Sequence, residues 1–389
     1  MKKQCIWFWL FCLMVIGAES FIQAAEERKD YLTAYRDIFL QKGILLREKP
    51  LGQGTYGRVY YCILREKPIA LKVSRGEEDY RNVATREAEI LTSLHSQEHT
   101  SDYIIKQLFH FMHQDRYFCI ALEYMPGGDL YAYAKVYADK KIPLDKLKEI
   151  LKQILLGLQY LRDHEVVHAD LKPENVLVGM NGKMVKIADF GASFYIKDAE
   201  VRSLDWLQTR LYRCPEVLLY AAPYSYAIDM WSLGCMAVEF FIGAPLFPGK
   251  DTPDMRVRHM EVLKAYPMSL LAKSKLEPLC FMNLTDLPEW ARREFKKNGE
   301  RPLETIMKLP ASDEFLHVCL CMLDLNPRSR ITPYDALRRR FFAEKVEASA
   351  VAAEVTPSPL EIPEASSAPS AFNGLPVSRE KGWQKSTMF

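Results

Sequence analysis

Between Lys49 and Leu122 the spacing of apolar residues changes several times. Leu51, Val59, Tyr61 and Ile63 keep a two-residue alternation, which predicts a half-buried β-hairpin interrupted by glycine-rich sequence. Two further strands, a helix and a last pair of strands follow. Val83, Ala84, Ala88, Leu91 and Leu94 recur near helical spacing and place that helix over residues 82–94. After Gly127-Gly128 the character shifts. Leu147, Ile150, Leu151, Ile154, Leu155, Leu158 and Leu161 form a stripe of 3.6-residue period, the mark of a core helix. Most of the chain from there to about Lys345 is helical in pattern. Residues 26–46 read as a helical lead-in. From Val346 onward Ala, Ser, Pro and Glu dominate and the periodicity stops, which predicts a disordered tail, either a solvated end or a docking or regulatory segment. No internal repeat is present.

Composition adds little to this picture, and the first residues add more. The chain has 389 residues, 49% hydrophobic and 26% charged, with a net charge of +2. That balance is globular, and bulk charge gives no reason to expect a nucleic-acid partner. Lys2 and Lys3 precede an apolar run from Ile6 to Ala18, and no charge occurs before Glu19. As a helix, residues 4–18 would span roughly 22 Å, short of the ~30 Å hydrocarbon core. With small residues at Ala18, Ser20, Ala24 and Ala25, residues 1–24 read as a secretory signal cut after Ser20 or Ala24. An uncleaved anchor is the alternative, with residues 4–18 in a membrane, and a buried helix is a third. Export or membrane association is therefore expected, the side of the membrane being open. Of nine cysteines, Cys5 and Cys12 lie in the leader, and the other seven contain no CxxC pair. Cys62, Cys119 and Cys235 sit in apolar segments as small core residues, so neither a disulfide framework nor a zinc site is expected.

The chemistry is carried by short motifs. Gly52-Gln53-Gly54-Thr55-Tyr56-Gly57 is a GxGxxG. Dinucleotide folds share that spacing, but there the glycines enter a helix; here Arg58-Val59-Tyr60-Tyr61-Cys62 continues as a strand. Such a turn lets backbone N–H groups close over phosphates without a Cβ in the way. Ile69-Ala70-Leu71 leads to Lys72 at the end of an apolar strand, and Glu87 stands on the next helix within reach of it. Glu89, the other carboxylate, points about 200° away around the helix. Val167-His168-Ala169-Asp170-Leu171-Lys172-Pro173-Glu174-Asn175 is followed by Asp189-Phe190-Gly191. Phosphoryl transfer needs a carboxylate to orient the attacking hydroxyl, a cation near the migrating group and oxygen ligands for Mg²⁺. These two motifs offer all of them.

From about Leu46 to Phe342 the chain resembles eukaryotic-type protein kinases, whose glycine loop, strand lysine, helix glutamate, catalytic loop and Asp-Phe-Gly occur here in order. The resemblance implies an α+β, bilobal fold over residues 46–343, with a β-rich N-lobe to residue 125, a helical C-lobe from 126 and ATP in the cleft between. It implies Asp170 as catalytic base, Lys172 on the γ-phosphate, Lys72 on the α/β phosphates paired with Glu87, and Asn175 and Asp189 as Mg²⁺ ligands. Leu51, Val59, Ala70, Leu122 and Leu177 would sandwich adenine under the 52–57 loop. The backbone of Glu123 and Met125 would take its edge, and Asp129 the ribose. His168 and Phe190 would pack as a spine. Glu216 and Arg330 would form a buried pair, and Asp229 would anchor the catalytic loop. A monomeric kinase domain acting on protein substrates is expected.

Gln208-Thr209-Arg210-Leu211-Tyr212-Arg213 and Pro245-Leu246-Phe247-Pro248-Gly249 look like the CMGC group, and His168-Ala169-Asp170 is similar to the homeodomain-interacting and dual-specificity tyrosine-regulated kinases. Ala169 stands where many kinases carry an arginine that holds a phosphorylated activation loop, so that clamp is absent. Trp206 stands where the tyrosine-regulated relatives autophosphorylate, and Cys214 replaces the usual alanine before Pro215-Glu216. Lys172 and Thr209 favour serine or threonine as acceptor, with dual specificity as the alternative. A pseudokinase scaffold would have lost Lys72, Asp170, Asn175 or Asp189, and a small-molecule kinase would lack the full activation segment; neither departure occurs. ATP is scarce outside cells, so an exported kinase implies delivery into another cell or tethering with the domain in cytosol.

Overall fold

A computed structural model describes residues 44–96, 100–199, 207–274 and 299–343, with Glu289 and Arg293. The leader, the 25–43 lead-in, Trp206 and the tail lie outside the described residues. The N-terminal part is a five-stranded sheet of β1 (Ile44–Gln53), β2 (Gly57–Leu64), β3 (Lys67–Ser74), β4 (Gln107–His113) and β5 (Tyr117–Glu123), crossed by helix α1 (Glu78–Leu94). Its order is β1-β2-β3-β5-β4, every pair antiparallel. Two details differ from the pattern expected of the sequence. Ile44 and Leu45, expected in the helical lead-in, open β1 and pair with Leu64 and Ile63. The alternation in β2 is real, but Tyr60 and Cys62 fill the sheet core with Leu71, Cys119 and Ala121. Val59 belongs to the opposite phase and faces a cleft, which is a second apolar surface that the same two-residue period cannot distinguish from a core.

Beyond the connection at Tyr124–Gly128 the chain is mainly helical. Helix α2 (Leu130–Ala134) leads to α3 (Leu144–Asp163), where all seven residues of the predicted stripe are buried. Small strands follow as β6 (Val166–Val167), β7 (Val176–Val178), β8 (Val185–Ile187) and β9 (Phe194–Tyr195), with β6 pairing β9 and β7 pairing β8. The helices α4 (Pro215–Leu218), α5 (Ala227–Ile242), α6 (Thr252–Leu263) and α7 (Met268–Leu271) come next. Finally α8 (Leu303–Met307), α9 (Glu314–Met322) and α10 (Pro333–Leu337) close the domain. Helix α5 is buried on every face from Ile228 to Phe240, and its polar residues Asp229, Ser232 and Glu239 are all hydrogen-bonded. The catalytic loop is pinned to it. The carboxylate of Asp229 accepts hydrogen bonds from the backbone N–H groups of His168 (2.8 Å) and Ala169 (2.9 Å). Among the described residues no helix is long and apolar enough to cross a membrane.

Candidate active site

Strand β3 carries Lys72 into the space between the sheet and α1. There its ammonium lies 2.7 and 2.5 Å from the two oxygens of Glu87, whose side chain is buried. It also donates to Asp189 Oδ1 at 2.7 Å, so one cation joins the N-terminal sheet, α1 and the segment after β8. Glu89 on the same helix is exposed, as its angular position required. Burial opposes charge on Asp189, but the Lys72 ammonium outweighs it and holds the carboxyl at about 2. Burial likewise opposes charge on Lys72, and Asp189 and Glu87 together keep it above the ordinary lysine range. Asp189 sits at φ 64°, a left-handed turn that aims its side chain at Lys72.

The loop after β6 builds the second half. Asp170 Oδ1 accepts from both the backbone N–H and the hydroxyl of Thr209, each at 2.8 Å. Asp170 Oδ2 accepts from Lys172 Nζ at 2.7 Å, and Lys172 also reaches Thr209 Oγ1 at 3.0 Å. Asn175 donates its amide to the Asp170 carbonyl at 2.8 Å, which turns its carboxamide oxygen toward other partners. His168 is fully buried, contacts the Phe190 ring edge-to-face at 5.1 Å and hydrogen-bonds Ala188 O through Nε2 at 3.0 Å. It is packing, not chemistry, as the sequence suggested.

Between the two halves lies a largely apolar cleft of about 300 Å³. Leu51, Gly52, Val59, Ala70, Leu122 and Leu177 line it, together with Glu123, Met125 and Asp129. Lys72, Glu87, Asn175 and Asp189 stand at its polar end. The rest of the predicted glycine-loop set does not line it. Gln53, Gly54 and Gly57 face a separate cleft beside Arg58, Arg75 and Arg116, while Thr55 is exposed at the turn. Tyr56 folds back under the turn, its ring 6.4 Å from Tyr80 of α1. Burial, then the carboxylates of Asp189 and Asp170, push its phenol up. Asp129 caps α2 through a 2.7 Å bond from Ala132 N, a structural duty beside its place in the cleft.

Three features have no counterpart among the residues expected from sequence. Glu174, Tyr124, Pro126, Gly128 and Ala188 also line the cleft. The Glu123 side chain accepts from Lys186 of β8 (2.7 Å) and from Lys106 N (2.8 Å), tying the end of β5 to the C-terminal part. Gln208, in sequence only part of a group signature, is buried with every polar group engaged. Its signal is the placement of an uncharged amide immediately before Thr209. The predicted pair of Glu216 and Arg330 is present and bidentate, at 2.7 and 2.9 Å, with both side chains buried.

The protein kinase domain family's sequence pattern matches residues 45–342. The chain is 39% identical over 229 residues to the dual specificity protein kinase YAK1 homolog of Arabidopsis thaliana, covering 57% of this chain and 23% of that protein. It is 31% identical over 295 residues to human dual specificity tyrosine-phosphorylation-regulated kinase 4, covering 74% and 55%. A match to a probable serine/threonine-protein kinase, dyrk2 of Dictyostelium discoideum, is 31% identical and covers 77% and 33%. The chain thus spans about a quarter to a half of the length of these curated relatives. A crystal structure of a kinase domain superposes with a TM-score of 0.68 at 26% identity, over 78% of this chain and 97% of that one.

Proposed function

The chain belongs to the protein kinase family, and from that premise we propose that its cleft transfers the γ-phosphate of ATP to serine or threonine hydroxyls of proteins. The carrying observation is the convergence on Asp170: a carboxylate held by Thr209 and Lys172, its backbone carbonyl bonded to Asn175, which with Lys72 and Asp189 forms the polar end of an apolar cleft. Asp170 orients the acceptor hydroxyl and takes its proton as the bond to phosphorus forms. Lys172 places positive charge beside the base, where the transferring group gains charge on its oxygens. Lys72, fixed by Glu87, is the cation for the remaining phosphates. Leu51, Val59, Ala70, Leu122 and Leu177 suit a flat heterocycle.

Asn175 and Asp189 supply a carboxamide oxygen and a carboxylate, a donor set that suits a hard divalent cation such as Mg²⁺. The Asn175 amide nitrogen is committed to Asp170 O, so the oxygen is the group left to face a metal. When bound, Mg²⁺ supplies charge neutralisation at the phosphates.

The position after the acceptor has a structural basis for its own preference. Gln208 has φ 56°, and Arg213 donates to its carbonyl from Nε (3.1 Å) and Nη2 (2.8 Å). A substrate residue following the acceptor therefore finds no carbonyl there for its N–H, and a proline, which has none, loses nothing. Paired peptides with serine, threonine or tyrosine followed by proline or alanine test this reading by mass spectrometry. Phosphate is expected on serine and threonine before proline; phosphotyrosine as the main product would favour the dual-specificity alternative that the relatives' names carry. The leader supports a reading in which the domain is exported or tethered at a membrane, and N-terminal sequencing of the mature protein separates a start at Phe21 or Ala25 from an intact anchor.

A further inference from the structure

Outside the nucleotide cleft, three arginines from separate segments meet at one end of the N-terminal sheet. Arg58 stands second in β2, Arg75 follows β3, and Arg116 lies in the turn between β4 and β5. The register that pairs Gly57 with Ser74 brings Arg58 and Arg75 to the same end of their strands. With Gln53, Gly54 and Gly57 of the glycine turn, the three arginines line a polar cleft of about 310 Å³. Among the described lining residues Glu77 is the one carboxylate, so three positive charges stand against one negative, an excess of two.

Two of these guanidinium groups are held in place. Arg75 lies over the Tyr80 ring at 5.1 Å from its centroid, and Arg116 over Tyr117 at 5.3 Å. Stacking uses the face of a guanidinium and leaves its N–H edge for an oxyanion. Arg116 also rests on bare backbone, because a Cβ on Gly76 would stand 2.7 Å from its Nε. The Gly76 carbonyl is fixed in turn by a 3.0 Å bond from Arg81 Nη1.

A phosphate monoester carries about −1.5 to −2 charges on three acceptor oxygens, which matches the excess, and its oxygens suit the bidentate fork of arginine. A carboxylate brings only one charge. A bilayer or an extended polyanion would also meet Glu77 and the acidic first turn of α1, Glu78 and Asp79. A single phosphoryl group on a peptide side chain reaches in past them. The same glycine turn walls both clefts, since Gly52 lines the nucleotide cleft and Gln53, Gly54 and Gly57 line this one. Arg75 N–H donates to Tyr56 O of that turn at 3.0 Å. A ligand in the outer cleft restrains the turn before the nucleotide arrives, and so removes part of the ordering cost of nucleotide binding.

We propose that Arg58, Arg75 and Arg116 form a binding site for a phosphorylated serine or threonine side chain of a protein, and that its occupancy tightens nucleotide binding through the shared turn. The site stands on its own geometry; its effect on the nucleotide rests on the phosphotransferase reading above.

The test uses the full chain carrying Asp170→Asn, so that no probe is turned over. Calorimetry follows a degenerate phosphoserine peptide mixture, the same mixture with serine, inorganic phosphate, and vesicles containing a phosphoinositide. The phosphopeptides are expected to bind about tenfold tighter, or more, than the serine peptides and inorganic phosphate. Arg75→Gln and Arg116→Gln should each weaken them about tenfold. Gly76→Ala should weaken them about threefold without changing any charge, because its methyl displaces Arg116. Saturating phosphopeptide should lower the Kd for ATP with Mg²⁺ about threefold, and not in Arg75→Gln. Equal affinity for phosphorylated and unphosphorylated peptides, or phosphopeptide binding indifferent to all three substitutions, overturns the site. Inorganic phosphate binding as tightly as the phosphopeptides, or vesicles binding more tightly and released by the same substitutions, overturns the protein occupant. An unchanged Kd for ATP overturns the coupling. Equal phosphate transfer by wild type and Asp170→Asn overturns the phosphotransferase reading, and the peptide titrations then decide the site separately.

Discussion

Single residues divide sharply in what they owe to the fold and what they owe to the ligand. The three glycines of the 52–57 loop look equivalent in the sequence. A Cβ on Gly57 would stand 2.0 Å from the Val73 carbonyl, whereas Gly52 and Gly54 have nothing within 4 Å. Gly57→Ala is therefore expected to destabilise the domain, by about 1–3 kcal/mol in a urea titration, because β2 must move off β3. Gly52→Ala and Gly54→Ala should leave stability within ~0.5 kcal/mol, with KM for ATP raised in Gly52→Ala, at the position that lines the cleft, and an equal loss of stability in all three would contradict this division. Lys72, Glu87, Asp170, Lys172, Asn175 and Asp189 are legible in the sequence because each motif fixes its residue by order and spacing, and the fold then brings them together. Gln208 and Lys186 are not legible, since their partners lie on α5 and at the end of β5, at separations no local pattern records. Asp129 is legible as a cleft residue and illegible as the cap of α2.

Elements are legible where burial has one face. The α3 stripe is a buried helix face residue for residue, because a surface helix against a single core has only one way to point its apolar side. The β2 alternation misleads as a guide to the core, since Val59 packs toward the cleft and Tyr60 toward the sheet core, and both surfaces are apolar. Helix α4 depends on a different device. Glu216 at its start is joined to Arg330 across the C-terminal part, and the guanidinium also stacks 5.2 Å over Trp231. Glu216→Ala strands a buried guanidinium and is expected to cost about 3–5 kcal/mol in chemical denaturation. A loss under ~1 kcal/mol would show that the pair is solvated in solution.

At the scale of the whole molecule, Lys72 bridging Glu87 and Asp189 makes one charged contact serve the N-terminal sheet, α1 and the C-terminal segment. Asp189, held at about 2 by that cation, contributes stability that is complete above the ordinary carboxylate range near 4 and is lost as pH falls through 2. The Lys72–Asp189 contact stays charged through the neutral range, so an acid limb of activity above pH 5 must come from a group other than Asp189; burial pushes the Glu87 carboxyl up. The bilobal α+β architecture is legible from the switch of apolar period at Gly127-Gly128, and the family match over residues 45–342 agrees with it. The position of the cleft is legible only through resemblance, since no periodicity says that Leu51 and Leu177, 126 residues apart, face one pocket. The central claim is phosphoryl transfer by Asp170 beside that cleft. Its most direct measurement is incorporation of label from γ-labelled ATP with Mg²⁺ into a generic basic protein, by the purified chain beside Asp170→Asn. Incorporation is predicted to depend on Mg²⁺ and to fall about 10²–10⁴-fold in the variant; equal incorporation by both proteins, or none by either across several substrates, would contradict it.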